Sequence, residues 1–176
     1  DAGTLKRIDY SLIKATGLTA ATAITTSSGT SHDFTSIPST VKIIWVVCNG
    51  VYKDGSTNVL VQIGDSGGIE TSGYLSTAGF YKDSGVGNQV TSTAGFVGAG
   101  EAGSGSGLTF SGTFTLTYLN TSNIWTCSTL GKAQDNDYAV IGGGQKTLSG
   151  TLDRVRLTTA SGSATFGGGT VTILYM

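Results

Sequence analysis

The chain has 176 residues, of which 28 are glycine and one is proline, with 38% hydrophobic and 12% charged residues and a formal net charge of −1. The charged share is about half of the roughly 25% usual in soluble domains, and glycine, serine and threonine together outnumber the apolar residues, which dilutes helix formers too far for an all-helical fold. Ten scattered basic residues cannot neutralise a run of phosphates, so no nucleic acid is expected as a partner. The longest apolar stretch, Ile43 to Cys48, falls far short of the roughly 20 residues that span a bilayer, so no membrane insertion is expected.

Residues 1–27, including Leu5 to Lys14, carry scattered apolar positions and then an Ala/Thr run, the pattern of a segment that connects to an upstream part of a longer chain. The start at Asp1 without Met and the apolar run Thr170 to Met176 fit the carboxyl-terminal piece of such a chain, and no secretory leader is recognised. Residues 28–176 read as one domain. Short strands are expected at 21–26 and 31–35, followed by Val41-Lys-Ile-Ile-Trp-Val-Val-Cys48, rich in β-branched and aromatic residues and ending at Asn49-Gly50. Both faces of that strand are apolar: Ile43, Trp45 and Val47 point one way, Ile44, Val46 and Cys48 the other, so it needs cover on two sides. A strand at 59–64 follows Lys53-Asp54-Gly55-Ser56, and this turn chemistry predicts a hairpin between the two.

Gly79 to Gly107 is rich in Gly, Ser and Ala and reads as a long excursion with one short strand at 93–97. Leu108 to Leu119 alternates cleanly, with Phe110, Phe114, Leu116 and Tyr118 on one face and Thr113, Thr115 and Thr117 on the other. Past Asn120 to Asn123, Ile124 to Leu130 reads as its antiparallel neighbour. Strands at 138–141, 150–159 and 170–176 complete a set of about nine or ten. With no helix-length amphipathic segment between them, they predict an all-β fold, an antiparallel β-sandwich that is jelly-roll-like.

Cys48, Cys127 and His32 are too few for a structural zinc site, so no metal and no cofactor are expected, and Cys48 in an apolar strand reads as a buried free thiol. Gly64-Asp-Ser-Gly-Gly68 matches five residues around the nucleophilic serine of chymotrypsin-like proteases. His32, the single imidazole, lacks that family's surroundings, and the favoured reading is a Gly-rich turn. Gly98-Ala-Gly-Glu-Ala-Gly103 has the letters of a dinucleotide fingerprint without the strand and helix that make it work. Asp135 with Asp137, and Asp65 with Glu70, are close enough in sequence to be weighed as a glycosidase pair, but read better as solvated turn acids. Asn120-Thr-Ser122 has the form of a glycosylation sequon. Trp45, Phe114 and Tyr118 are expected in the core. Tyr52, Tyr74, Tyr81 and Tyr138 lie beside turns rich in Gly and Asp, and Trp125 lies just past the Asn120 turn; these five rings are the candidates for stacking on the apolar face of a sugar.

Several segments resemble the distal carboxyl-terminal domains of tail fibres and related receptor-binding proteins of tailed bacteriophages. They are Phe34 to Pro38 running into Val41 to Val51, Val61 to Tyr74, Thr115 to Leu119 with Trp125, and Leu148 to Thr158 with Val171 to Tyr175. They occur in the expected order between Ser28 and Met176. Thr40 stands where an aromatic residue is expected, and residues 79–107 do not align. The resemblance implies a homotrimer at the distal end of a fibre in the virion, joined to upstream tail-fibre segments. It also implies attachment to a host bacterial polysaccharide or lipopolysaccharide, with Gly64 to Gly68 as part of the fibre domain's own pattern; the chain is accordingly read as a binding module from which no covalent chemistry is expected. Two rival readings remain: a polysaccharide depolymerase using Asp135 and Asp137, and a structural cap that locks the trimer without binding glycan.

Overall fold

The structure, a computed structural model, describes residues 17–82, 85–98, 109–119, 121–133 and 138–176. Among these residues all regular structure is β. The strands are β1 (Thr19–Ala20), β2 (Ile24–Thr25), β3 (Ser31–Phe34), β4 (Ile43–Lys53), β5 (Val59–Asp65), β6 (Gly68–Ile69) and β7 (Tyr74–Lys82). They continue as β8 (Gly85–Ser92), β9 (Phe96–Val97), β10 (Thr109–Tyr118), β11 (Ile124–Ala133), β12 (Tyr138–Thr147), β13 (Arg154–Thr159) and β14 (Phe166–Tyr175). They form two antiparallel sheets. The larger has nine strands in the order β1-β14-β4-β10-β11-β12-β7-β8, with β2 also on β14; the smaller has five, β3-β13-β5-β6, with β9 also on β5. One continuous core joins them, so the arrangement is sandwich-like, as the strand pattern predicts.

The cleanest expectation holds in detail. In β10, Phe110, Phe114 and Leu116 are buried, while Thr113, Thr115 and Thr117 face the other side, and β10 pairs with β11 from Phe110↔Ala133 to Tyr118↔Trp125. β5 is buried on both faces: its edges are paired with β13 on one side and with β6 and β9 on the other, one face packs in the core, and Gly95 crosses over Leu60 and Gln62 on the other. Gln62 within it donates to the carbonyl of Ala94 at 2.9 Å, so its amide is satisfied where a bare polar group would be costly.

Two expectations are corrected. β4 and β5 do not form a hairpin: β4 pairs with β10 and β14 in the large sheet, and residues 54–58 carry the chain across to the small sheet. Asp54 closes that passage, with its carboxylate accepting from Thr165 N at 2.5 Å. Turn chemistry specifies a reversal of direction, which suits a crossing between sheets as well as a hairpin. The excursion expected from Gly79 is, in its described part, mostly sheet: β7 pairs with β12 and β8 with β7. Glycines 79, 85 and 87 hide the alternation, and the neighbouring ladder supplies the order that local composition lacks. The large sheet also takes up β1 and β2, upstream of the boundary expected at residue 28.

Irregularities mark where β4 meets β10 and β14, with register shifts beside Gly112 and Gly168. Gly50 N donates to Ser111 Oγ at 2.8 Å there. Gly169 has φ +95°, and a Cβ on it would lie 2.3 Å from the Gly50 carbonyl oxygen, so this crossing admits glycine alone.

Candidate functional site

The two faces of the large sheet differ in kind. Inward, β4 sends Ile44, Val46 and Cys48 into the core. Outward, Ile43, Trp45 and Val47 are only half-buried, so Trp45, expected in the core, lies on the outer face. Cross-strand register places Leu174, Trp45, Thr115, Ser128, Gly143 and Thr77 in one outward row. The next row runs through Val47, Thr113, Leu130, Ile141 and Gly79. Neither row contains a charge. Leu75, Leu130 and Ile141 on this face are exposed, Leu130 by 67%, and together they make an apolar surface broader than scattered exposed residues would.

Of the five rings singled out in sequence, Tyr81 is the one that is exposed, by 50%. It lies over Gly79 and edges a trough of about 370 Å³ with Asn88, Gln89 and Ile141. Tyr138 is half-buried against the core, with Lys82 Nζ 5.5 Å from its ring centroid. Tyr52 is half-buried, and its ring packs over Gly167. The other two correct the sequence reading: Tyr74 is 0% and Trp125 3% exposed, so neither offers a ring face to a sugar. Tyr74 has a Gly-rich neighbourhood in sequence, yet its hydroxyl accepts from Ile63 N at 2.8 Å and lies 2.9 Å from the Glu70 carbonyl oxygen, to which it can donate. Those bonds hold a buried phenol in the core, and burial raises its pKa well above the ordinary value.

Tyr74 belongs to a closed polar lock. Lys146 lies 5.4 Å from the Tyr74 ring centroid and forms an ion pair with Glu70. Ser149 N donates to Glu70 Oε1 at 2.7 Å, and Ser149 Oγ lies 2.8 Å from both Glu70 Oε1 and Asp65 Oδ2. Asp65 Oδ1 also accepts from Gly67 N at 2.8 Å. Burial pushes the Glu70 carboxyl up, but Lys146 and Ser149 outweigh it and hold it below its ordinary value. The Ser149 and Gly67 bonds do the same for Asp65. Two carboxylates both held ionised lack the raised partner that a general acid requires. The other weighed pair, Asp135 and Asp137, lies outside the described residues, as does Asn120 of the sequon.

The Gly64 to Gly68 motif is the tight β5–β6 turn, with Asp65 opposite Gly68, as its composition predicts. A Cβ on Gly64 would lie 2.0 Å from the Gly68 carbonyl oxygen. His32 is level with Val61 two strands away and packs on Phe166 at 5.1 Å. Ser66 is five residues farther along, which by strand geometry separates it from His32 by roughly 19 Å, too far for a nucleophile and its base. Cys48 and Cys127 are both free and buried, and burial pushes each thiol up to about 12. No cluster of three or more metal-ligating side chains occurs among the described residues.

The row that carries the lock continues along the inner face to a second lysine. Register sets Tyr118 opposite Trp125, Trp125 opposite Lys146 and Lys146 opposite Tyr74. At its far end the Tyr118 and Trp125 rings meet at 5.3 Å, tilted by 41°, and Lys42 Nζ stands 4.2 Å over the Tyr118 centroid, within cation–π range. Lys42 is fixed through its backbone, with its N–H donating to Met176 O at 2.8 Å and its carbonyl accepting from Tyr118 N at 2.9 Å. These groups border a cleft of about 200 Å³ that also takes in Ser39, Asn123 and Thr151, over a base of Val41 and Leu152. Asn123 has φ +53° and Ser122 φ +48°, a conformation asparagine tolerates better than most residues. It lets the Asn123 carbonyl accept from Leu148 N at 3.1 Å.

Sequence reasoning flagged Trp125 but missed Lys42. The available signal was a single charge inside an otherwise apolar run, Val41-Lys-Ile-Ile-Trp. No protein-family model, curated protein or solved structure matches the chain.

Proposed function

We propose that the chain is the distal receptor-binding module of a bacteriophage tail fibre. In this reading it assembles as a homotrimer at the tip of the fibre in the virion, continues from upstream fibre segments, and holds a host bacterial polysaccharide or lipopolysaccharide without cleaving it. The proposal takes the sandwich as jelly-roll-like, since the chain passes from the large sheet to the small one after β4, back before β7, across again at β9 and β13, and home at β14.

The observation that carries this reading is the outer face of the nine-stranded sheet, where Trp45, Val47, Leu130 and Ile141 fall in two adjacent cross-strand rows that hold no charge, with Ile43 beside them and Lys132 one row beyond. Association with sister copies buries such a surface and leaves the loop-bearing ends of the sandwich free. Three weak sites on one rigid tip then gain avidity without tight single contacts. The segments that resemble fibre tips lie largely on this framework: Val41 to Val51 covers most of β4, and Thr115 to Leu119 the end of β10.

Light scattering on the purified chain tests assembly. The expected particle has three times the chain mass of 17.8 kDa, and Trp45→Lys or Leu130→Lys, which puts charges into that face, reduces it to one chain. A monomer at micromolar concentration overturns the reading. Added to host cells, the trimer is expected to compete with phage adsorption and to leave the viscosity of purified host polysaccharide unchanged. A falling viscosity moves the assignment to a depolymerase.

A further inference from the structure

We propose that the cleft beside Lys42, Tyr118 and Asn123 binds a carboxylate-bearing sugar ring, a hexuronate unit, with Lys42 as its counter-ion; this rests on the glycan-binding reading above. The inference comes from an asymmetry within one row of the sheet. At one end Lys146 stands beside the Tyr74 ring and meets the Glu70 carboxylate. At the other end Lys42 stands over the Tyr118 ring, but the three ion pairs of the described residues belong to Lys146, Arg154 and Arg156. Among the described residues the second lysine has its aromatic platform and no acid. An anion arriving from outside completes for Lys42 what Glu70 completes for Lys146.

The remainder of the cleft narrows the class of anion. Ser39, Thr151 and Asn123 offer two hydroxyls and an amide, each able to donate and accept, which matches the ring hydroxyls of a sugar better than the apolar side chains of a peptide. A volume of about 200 Å³ lies below the range of about 300–1,000 Å³ for sites that enclose a drug-sized molecule, and suits one ring of a longer chain. Val41 and Leu152 at the base of the cleft supply apolar contact for the C–H face of that ring. Lys42 is held by Met176 and Tyr118 through its backbone, and the 122–123 turn is held at Leu148, so both sides of the cleft are preorganised. Tyr118 and Trp125 of the cleft lie on the inner face of the large sheet, opposite the face proposed for association.

The test uses the whole chain and two matched probes followed by two-dimensional NMR and calorimetry: a galacturonate trisaccharide, and the same trisaccharide with its carboxylates reduced to alcohols. The expected result is at least tenfold tighter binding of the acidic form, with shifts at the Trp125 indole and the Asn123 amide. Lys42→Gln is expected to abolish the preference while leaving the spectrum of the fold intact, and Lys42→Arg to keep it. Equal binding of the two probes, a preference that survives in Lys42→Gln, no binding of either at millimolar concentration, or equal binding of a Glu-rich tripeptide would each overturn the proposal. The two proposals fail separately. A monomer that prefers the acidic trisaccharide through Lys42 removes the fibre-tip reading and keeps the cleft, whereas a trimer that competes for adsorption but ignores that trisaccharide removes the cleft and keeps the fibre tip.

Discussion

Two lysines beside two tyrosines, at opposite ends of one row of the sheet, behave as different objects. Lys146 is sealed at 7% side-chain exposure and paired with Glu70, and the Tyr74 ring beside it is fully buried. Lys42 is exposed and the Tyr118 ring half-buried, although Lys42 Nζ sits closer to its ring, 4.2 Å against 5.4 Å. The difference lies in the third partner. Where the chain supplies the acid, the cation becomes part of the architecture; where it does not, the same geometry becomes a site. An aromatic residue near a turn is therefore poor evidence for ligand binding until the partners of the neighbouring charge are known.

The most damaging change to this comparison is expected at its hinge. Trp125 is the register partner of both Tyr118 and Lys146, so truncating it strips contacts from the lock and the cleft together. Trp125→Ala should lower stability by about 3–5 kcal/mol, the usual cost of removing a buried aromatic side chain, as read by the chemical denaturation midpoint. A loss under 1 kcal/mol would mean the two ends are not joined through this ring.

A change confined to the sealed end comes next. Glu70→Gln leaves Lys146 without its carboxylate in a mostly covered position, and is expected to cost about 2 kcal/mol, less than for a fully buried pair because Glu70 retains some solvent contact. Lys42→Gln at the open end should cost less than about 0.5 kcal/mol, as for a surface position. The lock also sets a pH dependence. Glu70 is held below its ordinary value of 4.5 when folded, so its contribution is complete above pH 4.5 and is lost as pH falls through the lower folded value. Asp65 acts in the same direction, starting from 3.8. Wild type should therefore lose stability on acidification below about pH 4.5 more steeply than Glu70→Gln, measured as thermal midpoint against pH; parallel profiles would remove Glu70 from the account.

How much of this could be read in the sequence follows from the range of each interaction. The β10–β11 hairpin was legible because Phe110, Phe114 and Leu116 alternate with threonines over ten residues; that signal is local and the fold uses it locally. β7 and β8 were not legible, because Gly79, Gly87 and Asn88 carry no alternation and their order comes from β12, far along the chain. The doubly apolar character of β4 was plain, and its two faces fell where period two puts them. Yet its partners, β10 and β14, are distant in sequence, and the adjacent β5 belongs to the other sheet. Tyr74 and Trp125 are illegible for a related reason: Lys146 and Tyr118 arrive beside them through sheet register, and Ile63 meets the Tyr74 hydroxyl from the opposite sheet, and turn composition encodes neither. Lys42 is not legible because a single charge in an apolar run acquires meaning only with Tyr118 beneath it.

The smallest expected effect isolates the backbone of the open end from its side chains. Asn123 sits at φ +53° and also lines the cleft, so an alanine there would confound a lost amide with strain. Glycine separates them, because it occupies the left-handed region at no steric cost. Asn123→Gly should change stability by only a few tenths of a kcal/mol, with its carbonyl still accepting from Leu148 N, whereas Asn123→Ala should cost about 1 kcal/mol for forcing a Cβ into that conformation. If the amide serves the cleft, the two variants weaken binding of the acidic trisaccharide alike despite their different stabilities. If alanine alone weakens it, the role of Asn123 is to shape the turn, and the ring hydroxyls are left to Ser39 and Thr151.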